Sequence, residues 1–169
     1  AASDVYKRQY WNGDINWITL ADLPTSDFIS EIVSTERTIT EAGLNTSNAR
    51  LLPANTVVVS SRATIGRIGI ARTKLATNQG FKNIIIKDTS KVLPEYLAYI
   101  LTTKRDEMIR MASGATFKEI SKENFCKIQV PVPPLEIQKK LVAEIEGYRQ
   151  IISGAQAIAS SYLPKIVLR

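Results

Sequence analysis

Three polar turns of this sequence combine hydroxyl, amide and cationic side chains. Such side chains bind nucleic acids: arginine pairs with guanine O6 and N7, asparagine or glutamine with adenine N6 and N7, and serine, threonine and lysine contact phosphates. Loops are rich in the same residues for structural reasons, so a role within the turn is the alternative at each position. The residues that we predict to contact DNA are Ser61, Arg62, Thr64, Arg67, Asn78, Gln79, Lys82, Ser113, Thr116 and Lys118.

Catalytic chemistry has few candidates in this sequence. There is no histidine, which excludes Ser-His-Asp and Cys-His catalysis and histidine-ligated metal sites. The single cysteine, Cys126, excludes a zinc finger and an internal disulfide, and we interpret it as a small buried apolar residue. Neither the phosphate-binding motif GxxxxGKS/T nor GxGxxG is present. We therefore expect no catalytic site, no metal site and no cofactor bound by this chain.

The composition is that of a globular protein with a moderate excess of positive charge. The 169 residues are 44% hydrophobic, carry a net charge of +6 and contain no apolar run long enough to span a membrane. The basic excess suits a nucleic-acid partner without proving one. The lone cysteine and the polar start, which does not resemble a signal peptide, agree with a cytoplasmic location. The predicted organisation is a leader over 1–9, one globular domain over 10–132, a helix over 133–163 and a tail over 164–169.

The polar turns lie between segments that have the patterns of strands and helices. The valine run at 57–60 predicts a buried strand, which continues through a hairpin to Ala71 with Arg62 at its tip. A helix is predicted over 94–112. Further strands are predicted over 15–23, 81–87 and, at a sheet edge, 126–132. The predicted fold class is α+β: a mixed or antiparallel, β-rich globular domain with short helices, followed by one long C-terminal helix.

The last fifth of the sequence predicts that long helix. Pro133 and Pro134 suit a first helical turn, and no proline follows until Pro164. Apolar residues recur between them at alternating steps of four and three, a heptad pattern that predicts a left-handed coiled coil with another helix. A long core helix of an ordinary domain is the alternative, and the coiled-coil partner is either the 94–112 helix or a helix of another chain. The predicted dimerisation residues are Leu141, Ile145, Tyr148, Ile152, Ala155, Ala159 and Tyr162.

Five motifs follow one another along the chain: Gly13 to Asp22, Leu51 to Gly66, Thr77 to Phe81, Ser113 to Thr116 and Val130 to Gln138. In this order they resemble a target-recognition domain from the specificity (S) subunit of Type I restriction-modification systems. Openings in that family often read Ile-Pro-Trp, whereas Asn16 precedes Trp17 here. A complete S subunit has two recognition domains and two long helices, so this chain resembles half of one.

The resemblance implies a subunit that does no chemistry itself. In that family the globular domain reads one half of a split site in double-stranded DNA. The long helices pair antiparallel, which sets the spacing of the two halves, and they dock the methyltransferase (M) subunits. Those subunits bind S-adenosylmethionine and methylate adenine N6, and a separate restriction (R) subunit uses ATP and Mg to cleave DNA. The resemblance thus implies a non-catalytic DNA-binding partner of these subunits in a bacterial or archaeal cytoplasm.

Several arrangements and functions stay open at this point. Two copies that pair through their C-terminal helices form a homodimer that reads an interrupted palindrome, and an excised fragment of a longer subunit is the alternative. The same type of domain is also fused to methyltransferase-nuclease enzymes, whose recognition part is the second interpretation. A third interpretation is a coiled-coil adaptor whose polar loops bind protein instead of DNA.

Overall fold

A computed structural model of the chain describes residues 8–25, 28–114 and 118–162. Within these residues the chain forms two four-stranded sheets, five α-helices and short 3-10 turns, so the predicted α+β class is confirmed. The last helix is the long one, as predicted. The predicted tail, most of the predicted leader and the predicted contact residue Thr116 lie outside the described residues.

The first sheet joins the start of the chain to its middle. Its strand order is β3 (Arg37–Ile39), β1 (Trp11–Ile18), β7 (Leu75–Thr77) and β4 (Leu51–Leu52). β1 pairs antiparallel with β3 and parallel with β7, and β7 pairs antiparallel with β4. β1 ends before the predicted Leu23 because the Asp22 carboxylate accepts hydrogen bonds from the Thr19 N–H (2.7 Å) and hydroxyl (2.9 Å). These bonds start a 3-10 turn in place of further strand.

The second sheet contains the predicted hairpin. Its strand order is β2 (Ser30–Ile32), β6 (Ile68–Ala71), β5 (Val57–Ser60) and β8 (Phe81–Ile84). β5 and β6 are the two antiparallel strands of the hairpin, while β2 pairs parallel with β6 and β8 antiparallel with β5. β8 ends at Ile84 instead of the predicted Lys87 because its partner across the sheet, Val57, is the first residue of β5.

The valine run lies between two hydrophobic clusters. Val57 and Val59 pack in a cluster that includes Met108, whereas Val58 packs in a second cluster with Leu75. Successive side chains of a strand point to opposite faces, so an unbroken apolar run fits a strand that is buried on both sides. Each valine that is buried in this way contributes about 1.5–3 kcal/mol relative to an exposed one.

The predicted helix over 94–112 is two helices in the structure. The α-helices are α1 (Glu41–Thr46), α2 (Pro94–Thr102), α3 (Arg105–Met111), α4 (Lys122–Phe125) and α5 (Leu135–Tyr162). The hydroxyls of Thr102 and Thr103 each donate a 2.7 Å hydrogen bond to the carbonyl three residues earlier. Threonine hydroxyls compete in this way with backbone N–H groups for helical carbonyls, and α2 ends where the two bonds occur.

The predicted edge strand over 126–132 is not formed. Its first residue, Cys126, ends α4 and donates its N–H to the Lys122 carbonyl at 3.0 Å. Pro131 has no N–H for a β-ladder, and its carbonyl accepts a 3.0 Å hydrogen bond from the Tyr96 hydroxyl. Cys126 is exposed, so the interpretation of Cys126 as a buried apolar residue is wrong.

The beginning of α5 is fixed to the globular part by a buried amide. Gln138 is fully buried, and its Oε1 accepts a 2.9 Å hydrogen bond from the Leu93 N–H. Its Nε2 donates to the carbonyls of Lys91 and Pro133, both at 2.8 Å. The amide thus has the partners that a buried polar group requires. Because α2 packs against α5, the two helices make the internal contact that the sequence indicates.

Apolar contacts continue this attachment along α5. Val142 and Ile145 are partly buried and pack against the core of the globular part. Ile145 was predicted to lie in the dimerisation seam, but the structure places it against its own chain. Gln138, Val142 and Ile145 are four and three residues apart, so the attached face has the same helical spacing as the predicted seam.

Two polar side chains extend the attachment to the middle of α5. The Tyr99 hydroxyl donates to a Glu146 carboxylate oxygen, and burial together with this bond raises the pKa of Tyr99 to about 12. The Arg149 guanidinium donates to the Ile29 carbonyl at 3.1 Å and lies 5.7 Å from the centre of the Phe28 ring. These contacts tie α5 to both α2 and the segment before β2.

The second half of α5 extends away from the globular part. Every residue from 150 to 162 is exposed, a length of about 20 Å at 1.5 Å per residue. Large apolar side chains are exposed along this half and just before it, and we call them the projecting face: Tyr148, Ile151, Ile152, Ile158 and Tyr162. No described helix, α5 included, combines the length and the apolar character that a membrane span requires.

Candidate nucleic-acid interface

A cleft of about 1140 Å³ opens beside the first sheet. Among the described residues that line it there is no aspartate or glutamate, whereas five of them are lysine or arginine. We call it the basic cleft. A surface with cations and without carboxylates attracts a polyanion such as DNA. Its cationic lining residues are Arg37, Arg50, Arg62, Lys82 and Lys122.

One wall of the basic cleft is the turn between β7 and β8. The Asn78 Oδ1 accepts a 2.7 Å hydrogen bond from the Gly80 N–H, which closes the turn with a side chain. The Gly80 carbonyl accepts a 2.8 Å hydrogen bond from the Ser61 N–H, so this turn is fixed to the hairpin turn beside it. Gln79 is the exposed residue at the tip. Its amide therefore faces solvent from a backbone that is held on both sides.

The hairpin turn carries Arg62 at its exposed tip. The buried Ser60 hydroxyl donates to the Thr64 carbonyl and accepts a 2.9 Å hydrogen bond from the Arg67 N–H. Gly66 has a φ of +85°, and a Cβ there would lie 2.8 Å from a side-chain carbon of Arg105. The turn thus needs glycine at this position. Its internal bonds leave the Arg62 guanidinium without a hydrogen bond to any described residue.

Lys82 lies in the basic cleft but is held by protein groups. Its Nζ donates to the Ser61 hydroxyl at 3.1 Å and lies 3.3 Å from a Glu119 carboxylate oxygen. Ser61 itself is fully buried. The Glu119 backbone exchanges hydrogen bonds of 3.1 and 2.9 Å with Ser113. These bonds join β8, the hairpin turn and the loop before α4, and they hold the two turns that carry Arg62 and Gln79.

The ten predicted contact residues are not brought together at one place. Four of them, Arg62, Asn78, Gln79 and Lys82, line the basic cleft. Thr64, Arg67 and Lys118 line a separate depression of about 320 Å³. The remaining three are the buried Ser61, Ser113 beside Glu119, and Thr116, which lies outside the described residues.

In the smaller depression the two arginines already have protein partners. The Arg67 guanidinium donates to the Leu20 carbonyl at 3.3 Å, and the Arg105 guanidinium donates to the Gly66 carbonyl at 3.3 and 3.2 Å. An arginine whose donors are bound to main-chain carbonyls has fewer left for a ligand. The basic cleft is therefore the stronger candidate for an interface.

Sequence reasoning missed several residues of the basic cleft. Arg37 lies on β3 directly across from Trp17, and Arg50 and Asn48 precede β4. The mostly polar run from 45 to 50 has the same residue types as the three polar turns, and it could have indicated Arg50 and Asn48. The missed lining residues with polar side chains include Arg37, Thr46, Ser47, Asn48, Arg50, Asn83 and Lys122.

Two tryptophans form an aromatic part of the cleft wall. Trp11 and Trp17 meet edge to face, with ring centres 6.1 Å apart and planes at 87°. Trp17 is buried, whereas Trp11 is only half-buried and lies beneath the guanidinium of Arg37 at 5.7 Å. The wall thus presents to a ligand a cation that an aromatic ring supports.

No cluster of three or more cysteine, aspartate or glutamate side chains in the described part of the chain could hold a metal ion. What the basic cleft can do chemically is bind: it has cations for phosphates, and amides and arginines for base edges.

Comparison with known proteins identifies relatives of this chain. A family profile described as the Type I restriction modification DNA specificity domain matches residues 2–156. The chain is 37% identical over 163 residues to the Type I restriction enzyme MjaIX specificity subunit of Methanocaldococcus jannaschii, across 95% of this chain and 37% of that protein. It is 24% identical over 149 residues to the EcoR124I/EcoR124II specificity subunit of Escherichia coli, across 84% of this chain and 35% of that protein.

Solved structures share the fold. The HsdS subunit from Thermoanaerobacter tengcongensis matches with a TM-score of 0.66 at 17% identity, over 89% of this chain and 34% of that one. A chain from a structure on complex assembly and conformational transition of the type I R-M system matches with a TM-score of 0.69 at 20% identity, over 95% of this chain and 38% of that one. This chain thus spans little more than a third of the length of these relatives.

Proposed function

The chain belongs to the family of Type I restriction modification DNA specificity domains, and on that premise we propose that its basic cleft binds one half of a two-part site in duplex DNA. One observation carries the proposal: cations and amides line the cleft, and none of its described lining residues is acidic. In this proposal the cations contact the phosphates, and the exposed Arg62 and Gln79 form hydrogen bonds with base edges. Lys82, Ser61 and Glu119 hold the two turns in place.

The test is the salt dependence of DNA binding by the full chain. Neutralising several phosphates releases counterions, so the logarithm of the binding constant should fall linearly with the logarithm of the salt concentration. Fluorescence anisotropy with random-sequence duplexes measures this slope. Binding without a salt dependence, or no binding, would contradict the proposal.

Two variants locate the reading residues. Arg62→Ala and Gln79→Ala should each weaken binding to sequences selected from a random library by about tenfold, and should weaken random-sequence binding much less. Lys140→Ala removes a charge from an exposed position on α5 and is the matched control, with a change below about twofold expected. Equal losses on both kinds of DNA would make Arg62 and Gln79 phosphate contacts instead.

For α5 we propose that the projecting face pairs with the same helix of a second copy. Large apolar side chains are exposed there at spacings of three, four and seven, such as Tyr148, Ile151 and Ile158. Ile145 was predicted to contribute to the pairing surface, but its side chain packs against the globular part of its own chain. Two-fold pairing would place two identical clefts on DNA, so the site would be an interrupted palindrome. The methyltransferase subunits, and through them the restriction subunit, would then bind to the assembled pair.

Light scattering over a dilution series tests the pairing. The unmodified chain should have the mass of a dimer, and Ile151→Asp combined with Ile158→Asp should give a monomer. Ser153→Asp with Ser160→Asp adds the same charges on the opposite side of the helix and should leave the dimer intact. A monomeric unmodified chain would contradict self-pairing.

In this proposal the chain itself is not catalytic. It supplies sequence recognition in the cytoplasm, while partner subunits bind S-adenosylmethionine, ATP and Mg. Purified chain alone should neither methylate nor cleave DNA, and incorporation of labelled methyl groups by the chain alone would overturn this part.

A further inference from the structure

Arg37 differs from the other cations of the basic cleft in how it is held. It lies on β3, the edge strand of the first sheet, directly across from Trp17. Its guanidinium carbon lies 5.7 Å from the centre of the Trp11 ring, and Trp11 in turn meets Trp17 edge to face. The side chain therefore rests on an aromatic wall that the core supports. A guanidinium on an indole face is attracted by the ring and loses freedom of rotation before any ligand binds.

The backbone beneath Arg37 is fixed as well. The Thr35 hydroxyl donates a 2.6 Å hydrogen bond to the Arg37 carbonyl and accepts one of 3.0 Å from the Trp17 N–H. The Asn16 Oδ1 accepts from the Thr35 N–H at 3.2 Å. The side chains of Thr35 and Asn16 thus close the strand pair at the residue that carries the guanidinium.

The donors of Arg37 remain available for a ligand. Its guanidinium forms no hydrogen bond or ion pair with a described residue, and no described residue that lines the cleft is acidic. Arg72 shows the opposite case, because its guanidinium is bound by the carboxylates of Glu31 and Glu95. An arginine whose guanidinium lies over an aromatic ring and whose donors are open is suited to paired hydrogen bonds with one planar acceptor edge.

We propose that Arg37 reads a guanine of the half-site through paired hydrogen bonds to O6 and N7. The proposal rests on the proposed DNA-binding function and adds a specificity residue to it. Guanine presents two acceptors side by side in the major groove, and arginine is the side chain that matches both. Pre-orientation by Trp11 lowers the entropy lost when the pair forms, which favours base reading over a loose phosphate contact.

The decisive variant is Arg37→Lys, which keeps the charge and removes the planar pair of donors. The full chain is used to select duplexes from a randomised library, and the preference for each base is read at every position. For Arg37→Lys we expect the preference for guanine to fall about tenfold at one position and to persist at the others. Affinity for random DNA and the salt slope should stay unchanged because the charge is kept.

Arg110→Lys is the matched control, since Arg110 is exposed and lines neither the basic cleft nor the smaller depression. It should leave the base preferences unchanged. A second variant, Trp11→Leu, removes the stacking face and should weaken the preference at the same position as Arg37→Lys. Thermal unfolding of each variant confirms that it is folded.

The outcomes separate this inference from the function on which it rests. An unchanged preference in Arg37→Lys, or a loss spread evenly over all positions, with DNA binding intact, overturns the role of Arg37 alone. A loss at one guanine in Arg37→Lys that Arg110→Lys does not share supports it. Absence of DNA binding by the unmodified chain overturns both proposals together.

Discussion

The two halves of α5 have opposite surroundings within one continuous helix. Residues 135–149 are attached to the globular part through a buried amide, two apolar contacts and an arginine, whereas residues 150–162 are all exposed. Both halves present apolar residues at helical spacing. The difference teaches that polar residues decide which half is attached: Gln138, Glu146 and Arg149 bind specific partners in the globular part. The hydrogen bond described for a side chain of residues 150–161 stays within α5.

The largest loss of stability is expected when the attachment of α5 to the globular part is disrupted at Gln138. Gln138→Leu leaves the Leu93 N–H and the Lys91 carbonyl without the partners they have now, and we expect a loss of about 2–4 kcal/mol in the free energy of unfolding. Urea unfolding followed by circular dichroism measures it. Gln150→Leu, in the exposed half, should change stability by less than about 0.5 kcal/mol. Similar values for both variants would show that the buried amide does not secure the helix.

A smaller effect is expected at the end of the attached half. Arg149→Met keeps the aliphatic stem but removes the hydrogen bond to the Ile29 carbonyl and the contact with the Phe28 ring. We expect a loss of about 1–2 kcal/mol by the same unfolding measurement. Lys140→Met, which removes an exposed charge from the same helix, is the control and should be close to neutral. If Arg149→Met leaves the free energy of unfolding unchanged, the attached half ends at Glu146 instead.

The stability that this attachment provides should also decrease at alkaline pH. The pKa of Tyr99 is raised to about 12 by burial and by its bond to Glu146, against about 10 in the unfolded chain. A raised pKa means that the contribution is fully present below pH 10 and is lost as the pH rises towards 12. Across this interval unfolding should release up to about one extra proton, seen as a pH slope of the urea midpoint. Tyr99→Phe should abolish that part of the slope, and an identical slope in both proteins would contradict the assignment.

The smallest effect on stability is expected in the projecting half. Ile151→Asp and Ile158→Asp change side chains that are 69% and 63% exposed, so each should alter the free energy of unfolding of the monomer by less than about 0.5 kcal/mol. Unfolding at a concentration where the chain is monomeric gives the value. A loss above 1 kcal/mol would mean that the globular part covers this half in solution.

The hairpin shows what the sequence could predict about the fold. A run of three valines between a turn and a glycine-containing strand fits one arrangement well, a strand buried on both faces, and the structure has it. The heptad was less informative, because its spacing describes a helical face and not the surface that covers it. Ile145 belongs to that spacing and is used within the chain.

The candidate site was predictable by residue type and less so by position. Arg62 and Gln79 lie at tips of turns, where local sequence fixes exposure. Ser61 and Lys82 have the same chemistry, but Glu119, distant in sequence, accepts from Lys82 and burial removes Ser61 from solvent. Arg37 was missed because its importance comes from Trp11, which lies across a strand pair and 26 positions away in the chain. Pairings of this kind depend on the tertiary fold.

The parallel pairings of β1 with β7 and of β2 with β6 determine when these strands can pair while the chain is being synthesised. β1 cannot pair with β7 until the residues up to Thr77 have left the ribosome, and β2 cannot pair with β6 until the residues up to Ala71 have done so. At about 5–20 residues per second, the interval from Ile39 to Thr77 lasts roughly 2–8 s. During that time the unpaired side of β1 is open to any other extended strand. Chains translated close together are therefore most exposed to mispairing at β1, before the basic cleft exists.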